Sequence, residues 1–194
     1  MQYTATNFDQ LLGTPGFSDQ LLNNHFTLYQ GYVKNTNALA ETLERLLKEG
    51  KAGTMEFAEL KRRFGWEFNG MRLHEYYFGN MTKARKALPG DSGLAKQIAE
   101  VFGSFDNWRK GFTSVGAMRG VGWVVLSYDP AMARLFNVWI DEHDSGHLMG
   151  TVPLLVMDVF EHAFMIDYGL KRAEYVEAFM HAIDWSVVQK RLSG

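Results

Sequence analysis

Three features of this 194-residue chain predict an α+β fold. Apolar residues in the first half recur at intervals of three and four, a run of β-branched and aromatic residues begins at Gly120, and helical patterning returns near the C-terminus. The first half is expected to form an N-terminal antiparallel helical hairpin. The second half is expected to form a three-stranded antiparallel sheet with surrounding helices. The cluster Pro89-Gly90-Asp91-Ser92-Gly93 is the clearest boundary and divides the chain into domains over 1–88 and 89–194.

The elements follow in order. Ser18 comes after the Pro15-Gly16-Phe17 break and can cap a helix carrying Leu21, Leu22, His25, Tyr29, Tyr32 and Val33. The pattern continues through Leu39, Leu43 and Leu46 to Gly50, an expected C-terminal stop. After Gly50-Lys51-Ala52-Gly53 a second pattern runs from about Met55 to Met81, with Leu60, Phe64, Phe68, Met71, His74 and Phe78 on it. A short turn between two long helices makes a hairpin, across which His25 and His74 can face each other. Beyond Gly90, helices are predicted over 93–102 and 105–118, the second after the capping residue Ser104. Strands are predicted over 120–128, closed by the turn signal Asp129-Pro130, over 134–140 as its hairpin partner, and over 151–158. Helix is expected again from about Val159, with short segments over 172–181 and 185–192.

Composition narrows the chemistry. Hydrophobic residues make up 46% and the net charge is −2, which excludes a disordered chain. With 20 Lys+Arg against 22 Asp+Glu there is no basic excess, so no nucleic-acid partner is expected. The absence of cysteine removes disulfides, thiolate nucleophiles, zinc fingers and iron–sulfur ligation together. Any metal must be held by nitrogen and oxygen, which draws attention to His25, His74, His143, His147, His162 and His181. The most apolar stretch, 151–160, is too short to span a bilayer and contains Asp158. The opening MQYTATNFDQ has neither a basic nor an apolar targeting region, so no membrane association and a cytoplasmic location are expected.

Taken singly, a histidine on an apolar helix face is ordinarily a hydrogen-bonded core residue. Asp158 and His162 share a face if their segment is helical, and such a pair is common for structural reasons. The surrounding sequence is more specific. Asp158-Val-Phe-Glu-His162-Ala-Phe-Met-Ile-Asp-Tyr168, followed by Arg172, Tyr175, Phe179 and Asp184-Trp185, closely resembles the C-terminal signature of the iron/manganese superoxide dismutase family. Phe102-Gly-Ser-Phe105 and Gly120-Val-Gly-Trp123 are similar to two further family segments. The stretch Asn69 to Phe78 resembles the one carrying the family's second histidine, and His25 with Tyr32-Val33 and Asn35-Thr-Asn37 the one carrying its first.

This resemblance implies one redox metal, manganese or iron or either, held by His25, His74, Asp158 and His162 with a fifth position open to solvent. Imidazole and carboxylate suit both metals, and an anionic oxygen favours the trivalent state. The implied activity converts superoxide to dioxygen and hydrogen peroxide by cycling the metal between M(III) and M(II). A non-catalytic, structural or interaction paralogue is the first alternative, and would be expected to have lost ligands. The second alternative is a mononuclear iron or manganese oxidoreductase with an altered substrate.

Departures from the family pattern concern the surroundings of the metal. Iron members usually carry a Gln four residues before the second histidine, and that position is Gly70, which leans toward manganese. Manganese members supply a Gln from the loop before the Asp. Here that loop, Trp139 to His147, has no Gln; His143 aligns best and is expected to contact the metal-bound solvent, with His147 as the fallback. His143 leaves iron or dual-metal use open. The family's gateway His and Tyr correspond to Tyr29 and Tyr32, with one residue missing between the ligand His25 and Tyr32, and its cross-dimer Tyr corresponds to Met165. Tyr32 is the expected gateway tyrosine. The resemblance further implies that Glu161 bridges to a partner subunit's ligand in a homodimer or tetramer. It makes Trp123, Trp185, Tyr77 and Phe160 an aromatic wall, and sets Arg172 beside the substrate funnel as a local attraction for an anion.

Overall fold

The computed structural model describes residues 2–193. Helix α1 (Asp19–Lys48) and helix α2 (Met55–Gly79) pack side by side as the expected antiparallel hairpin. Ser18 starts α1 in two ways: its Oγ accepts from the Leu21 amide at 3.1 Å, and it donates from both backbone and hydroxyl to Asp167, at 2.7 and 2.6 Å. The cap therefore also ties the start of the hairpin to the C-terminal half. Gly50 closes the first helix at φ +69°, a left-handed conformation that glycine adopts without steric cost. Thr54 caps α2 through the Phe57 amide.

Helices α3 (Gly93–Phe102) and α4 (Phe105–Gly116) lead into strands β1 (Gly122–Asp129), β2 (Arg134–Asp141) and β3 (Val152–Asp158). The sheet order is β2-β1-β3, with both pairings antiparallel. Residues 122–127 of the central strand are all buried, because α4 covers β1 and β2 while α2 and the last helix press on β3. Trp123 lies opposite Ile140 on one side and Asp158 on the other, so this register sets one aromatic side chain beside one carboxylate.

The segment after β3 departs from expectation. The chain does not continue as a helix from Val159; it turns through a 3-10 turn at Glu161–Ala163 into the short α5 (Met165–Tyr168), then α6 (Arg172–His181) and α7 (Trp185–Leu192). Asp158 and His162 are thus brought together by a strand end and a tight turn, not by a shared helix face. The carboxylate's own hydrogen bond from the Phe160 amide, at 2.8 Å, stabilises the turn and competes with a helical ladder there. No helix among the described residues is long and apolar enough to cross a membrane.

One buried side chain joins the two halves. Asn80, just past α2, donates to the Tyr77 and Val156 carbonyls at 2.8 and 3.3 Å and accepts from the Val156 amide at 2.9 Å. Its own carbonyl accepts from Asp184 at 2.9 Å. The end of α2 is in this way fixed against β3 and the start of α7. Replacing Asn80 with Ala orphans the Val156 amide in the core and is expected to cost about 2–3 kcal/mol. The check is a fall in denaturant midpoint at unchanged slope; a midpoint equal to the parent's would show that the junction is held elsewhere.

Candidate metal centre

Four side chains converge where the hairpin meets the sheet. His25 comes from the second turn of α1, His74 from the C-terminal part of α2, Asp158 from the last position of β3 and His162 from the 3-10 turn. One donor atom from each lies within 4.8 Å of the others. Asp158 Oδ2 stands 3.2 Å from His25 Nε2, 3.2 Å from His162 Nε2 and 3.7 Å from His74 Nε2. The carboxylate is aimed by its neighbours: Oδ1 is held by the Phe160 amide, and the Asp158 carbonyl accepts from the Tyr175 hydroxyl at 2.5 Å. His74 is aimed likewise, since its Nδ1–H donates to the Gly70 carbonyl at 2.6 Å.

Electrostatics and hydrogen bonding both fit a cation. Burial pushes the His25 imidazole down, against the opposing pull of Asp158, and pushes His74 well down. Burial alone would raise the Asp158 carboxyl, but the charge and hydrogen bond of His162, followed by those of His25, outweigh it and hold the group below the usual carboxylate range. His74 Nε2 is fully buried without a hydrogen-bond partner. An orphaned imidazole lone pair costs free energy unless something accepts it. Three nitrogen donors and one anionic oxygen suit manganese or iron, and neutral imidazoles are the form that a metal requires.

Around this centre lies a second group. Trp123 Nε1–H donates to His143 Nδ1 at 3.0 Å, and His143 Nε2 lies 2.8 Å from the Tyr32 hydroxyl. An indole N–H can only donate, so Nδ1 is the bare nitrogen of His143. Burial pushes this imidazole down to about 4, so near neutrality it is the uncharged Nε2–H tautomer and donates to Tyr32. The Tyr32 hydroxyl keeps its own proton for a further acceptor, as burial and then the Asp158 charge raise its pKa. The Tyr32 ring stacks on His74 at 5.1 Å, and Phe160 stacks on His143 at 4.8 Å and on His162 at 5.1 Å. Both His143 nitrogens therefore have protein partners, and its contact to anything in the centre runs through, or is shared with, the Tyr32 hydroxyl.

The remaining expected site residues divide. Trp123 and Tyr77 line the centre, 4.9 Å from His74 and 5.3 Å from His25. Trp185 does not; it packs on Phe105 and Trp108, each at 5.5 Å, in the C-terminal core. Tyr29 lies 6.3 Å from the His74 ring and turns its hydroxyl toward the N-terminal segment. It is 1% exposed, and its hydroxyl accepts from the Thr6 amide and donates to Glu75, because one turn beyond His25 an unbroken helix points it at the N-terminal segment and Phe8. Met165 and Glu161 are exposed, and both line a surface cleft with Arg172. Arg172 donates to the Gly120 carbonyl at 2.9 Å. His147 donates to the His143 carbonyl at 2.9 Å and so supports the loop.

Sequence reasoning missed Trp66, whose ring meets His143 edge-on at 4.4 Å. The signal was available, because Trp66, Gly70 and His74 follow one another at helical i, i+4 spacing.

An α+β fold with one buried three-histidine, one-aspartate centre between a helical hairpin and a sheet defines a single-metal protein of the nitrogen–oxygen type. The profile described as iron/manganese superoxide dismutases, C-terminal domain, matches residues 90–191. The chain is 38% identical over 172 residues to "Superoxide dismutase [Mn] 2" of Haloferax volcanii, covering 88% of this chain and 84% of that one. It is 36% identical over 182 residues to "Superoxide dismutase [Fe]" of Cupriavidus metallidurans, covering 92% and 90%. It is 32% identical over 183 residues to "Superoxide dismutase [Fe]" of Saccharolobus solfataricus, covering 92% and 86%. The chain belongs to the iron/manganese superoxide dismutase family.

Gly70 has a local role that a substitution exposes. A Cβ there would stand 2.7 and 2.8 Å from two Tyr32 ring carbons, and the ring is held by His74 on one side and His143 on another. Gly70→Ala is expected to cost about 1–3 kcal/mol through overpacking. It should also displace Tyr32 from His143 in a crystal structure of the variant. An unmoved Tyr32 with unchanged thermal midpoint would contradict this packing.

Proposed function

We infer that this protein disproportionates superoxide to dioxygen and hydrogen peroxide with one manganese or iron ion per chain, held by His25, His74, Asp158 and His162. The observation that carries this reading is the convergence of all four donor atoms within 4.8 Å, around an imidazole lone pair with no other partner, in a member of this family. A bound manganese or iron ion supplies one-electron chemistry, alternating between its trivalent and divalent states. The protein supplies the rest. Asp158 contributes the anionic charge that favours the higher state. The rings of Tyr32, Trp123, Phe160 and Tyr77 exclude bulk water and strengthen every electrostatic interaction inside. Tyr32 holds a proton at its hydroxyl and receives a hydrogen bond from His143, so a proton and its resupply direction are in place beside the centre. Peroxide formation consumes protons, and a positioned donor is what this step requires.

A homodimer, or a tetramer built on it, is part of the same reading. His162 is the most open of the four, with 28% of its side chain exposed, and its neighbour Glu161 faces solvent. Beside them Met165, Ile166 and Leu170 are 42%, 47% and 91% exposed, an apolar surface of the kind that associates. A second copy covering this face would bring its Glu161 toward His162. Arg172 would supply a local attraction for the anionic substrate despite a net charge of −2.

Reconstitution of metal-free protein with each metal alone tests the function. One ion per chain and superoxide consumption in at least one form are expected. Metal-replete protein inactive in both forms would leave the non-catalytic reading. Stripping the metal should lower stability by about 4 kcal/mol relative to protein at free metal a thousandfold above Kd. Asp158→Asn removes the anionic donor and is expected to lower metal affinity and activity by more than the roughly 10–100-fold that loss of a ligand's own hydrogen-bond partner costs. A fully active monomer in light scattering would refute the assigned role of Glu161.

A further inference from the structure

His143 is fully buried although it sits in an exposed loop, with Glu142 and Asp144 open on either side. Part of its placement comes from the backbone. Asp141 and Ser145 exchange hydrogen bonds at 2.8 and 3.3 Å, and the Glu142 amide donates to the Val121 carbonyl at 3.2 Å. This tight turn forces Glu142 to φ +47°, a left-handed conformation that glycine would adopt at no steric cost. A glutamate is held there instead, and its carboxylate has a partner: Oε2 accepts from Trp66 Nε1–H at 2.9 Å.

Trp66 has no role in holding a metal, yet it touches two members of the group that surrounds the centre, His143 and Tyr32. Its ring lies edge-on to His143 at 4.4 Å and 5.6 Å from Tyr32. On its other side the Arg63 guanidinium sits 3.9 Å from the ring centroid. Arg63 is itself fixed by two hydrogen bonds to Glu67 Oε1, at 2.8 and 2.6 Å, and Glu67 Oε2 accepts from Asn35 of α1 at 3.3 Å. A connected series therefore runs from α1 and α2 through Arg63 and Trp66 to Glu142 and the loop. A cation on an indole face and a carboxylate on its N–H reinforce each other, since each polarises the ring toward the other.

We propose that Trp66 and Glu142 form a clip between α2 and the loop that follows β2, and that the clip is a positioning device for His143. It seats the imidazole between Trp123 and Tyr32, so that Nδ1 meets the indole donor and Nε2–H meets the phenol oxygen, and it closes the outer side of that pair with the indole ring. The two residues act through His143 and Tyr32, not on substrate. The consequence for dismutation rests on the function inferred above; the consequence for the loop does not.

Three variants of the full-length, metal-loaded protein test it: Trp66→Phe, which keeps an aromatic edge but loses the N–H; Glu142→Ala; and Glu142→Gln, whose amide oxygen still accepts from the indole. Metal content and thermal midpoint verify folding. The readouts are hydrogen–deuterium exchange in the peptide spanning 141–147, and kcat separated from KM. Trp66→Phe and Glu142→Ala are expected to speed exchange there roughly fivefold, the worth of one hydrogen bond. They should lower kcat roughly tenfold with KM little changed, while Glu142→Gln stays near the parent in both. Unchanged exchange in Trp66→Phe and Glu142→Ala would show that no clip exists. Faster exchange with parental kcat would overturn the positioning role. If the parent itself fails to consume superoxide, the inferred function falls, and the exchange comparison still decides for or against the clip.

Discussion

The whole arrangement depends on one carboxylate that has been taken out of water. Asp158 is fully buried, and removing an ionised carboxylate from solvent costs several kcal/mol unless the site compensates. One oxygen and the main-chain carbonyl are compensated by the Phe160 amide and the Tyr175 hydroxyl. The other oxygen faces three imidazole Nε2 atoms, and burial drives two of those rings, His25 and His74, toward their neutral forms. Neutral imidazoles cannot both repay the charge and keep their lone pairs pointed at it. A multivalent cation resolves both problems together, which is why an otherwise costly cluster is stable as a metal centre. The fold serves this: two helices, a strand end and a turn each deliver one donor, and Asn80 locks the helix carrying His74 to the strand carrying Asp158.

The group beside the centre has a direction, and it follows from the donor inventory alone. Trp123 can only donate, so His143 accepts at Nδ1 and donates at Nε2, and Tyr32 is left with its proton facing inward. An imidazole in such a place risks adding a variable charge through its own protonation. Burial removes that risk by holding the ring near pKa 4, more than two units below neutrality. His143 is thus a neutral group that both accepts and donates, mounted on a rigid ring.

Much of the fold was legible because its signals are local. Caps at Ser18 and Ser104, read from sequence, accept the amides that mark two helix starts, and the strands carry the β-branched and aromatic run ending at Asp129-Pro130. The four donors were legible only through resemblance, because nothing in the spacing of His25 and His74 encodes their meeting. What escaped the sequence pattern was partly local and partly not. The turn after Asp158 was read as helix because its apolar pattern is ambiguous, and the deciding interaction is the Phe160 amide donating back to the Asp158 carboxylate two residues earlier. Trp66 and Glu142 lie far apart in sequence, and their hydrogen bond had no sequence signature beyond the i, i+4 series leading to His74.

The departures at the first helix, at Gly70 and at His143 form one compensated set. Helix α1 runs unbroken from Asp19 to Lys48, so shortening the interval between His25 and Tyr32 by one residue leaves them two turns apart on one face. That places the Tyr32 ring flat on His74 and directly over residue 70. A side chain at 70 would begin with a Cβ inside the tyrosine's contact distance, so with Tyr32 in this place a glutamine at that position is disfavoured. The hydrogen-bonding group must then come from the opposite wall. There it has to span from Trp123 to Tyr32, and an imidazole does so with two nitrogens of complementary character. The glycine at position 70 is in this light matched to where Tyr32 lies. The same geometry makes the ring orientation of His143, rather than the length of a flexible amide, the quantity that the surrounding residues have to control.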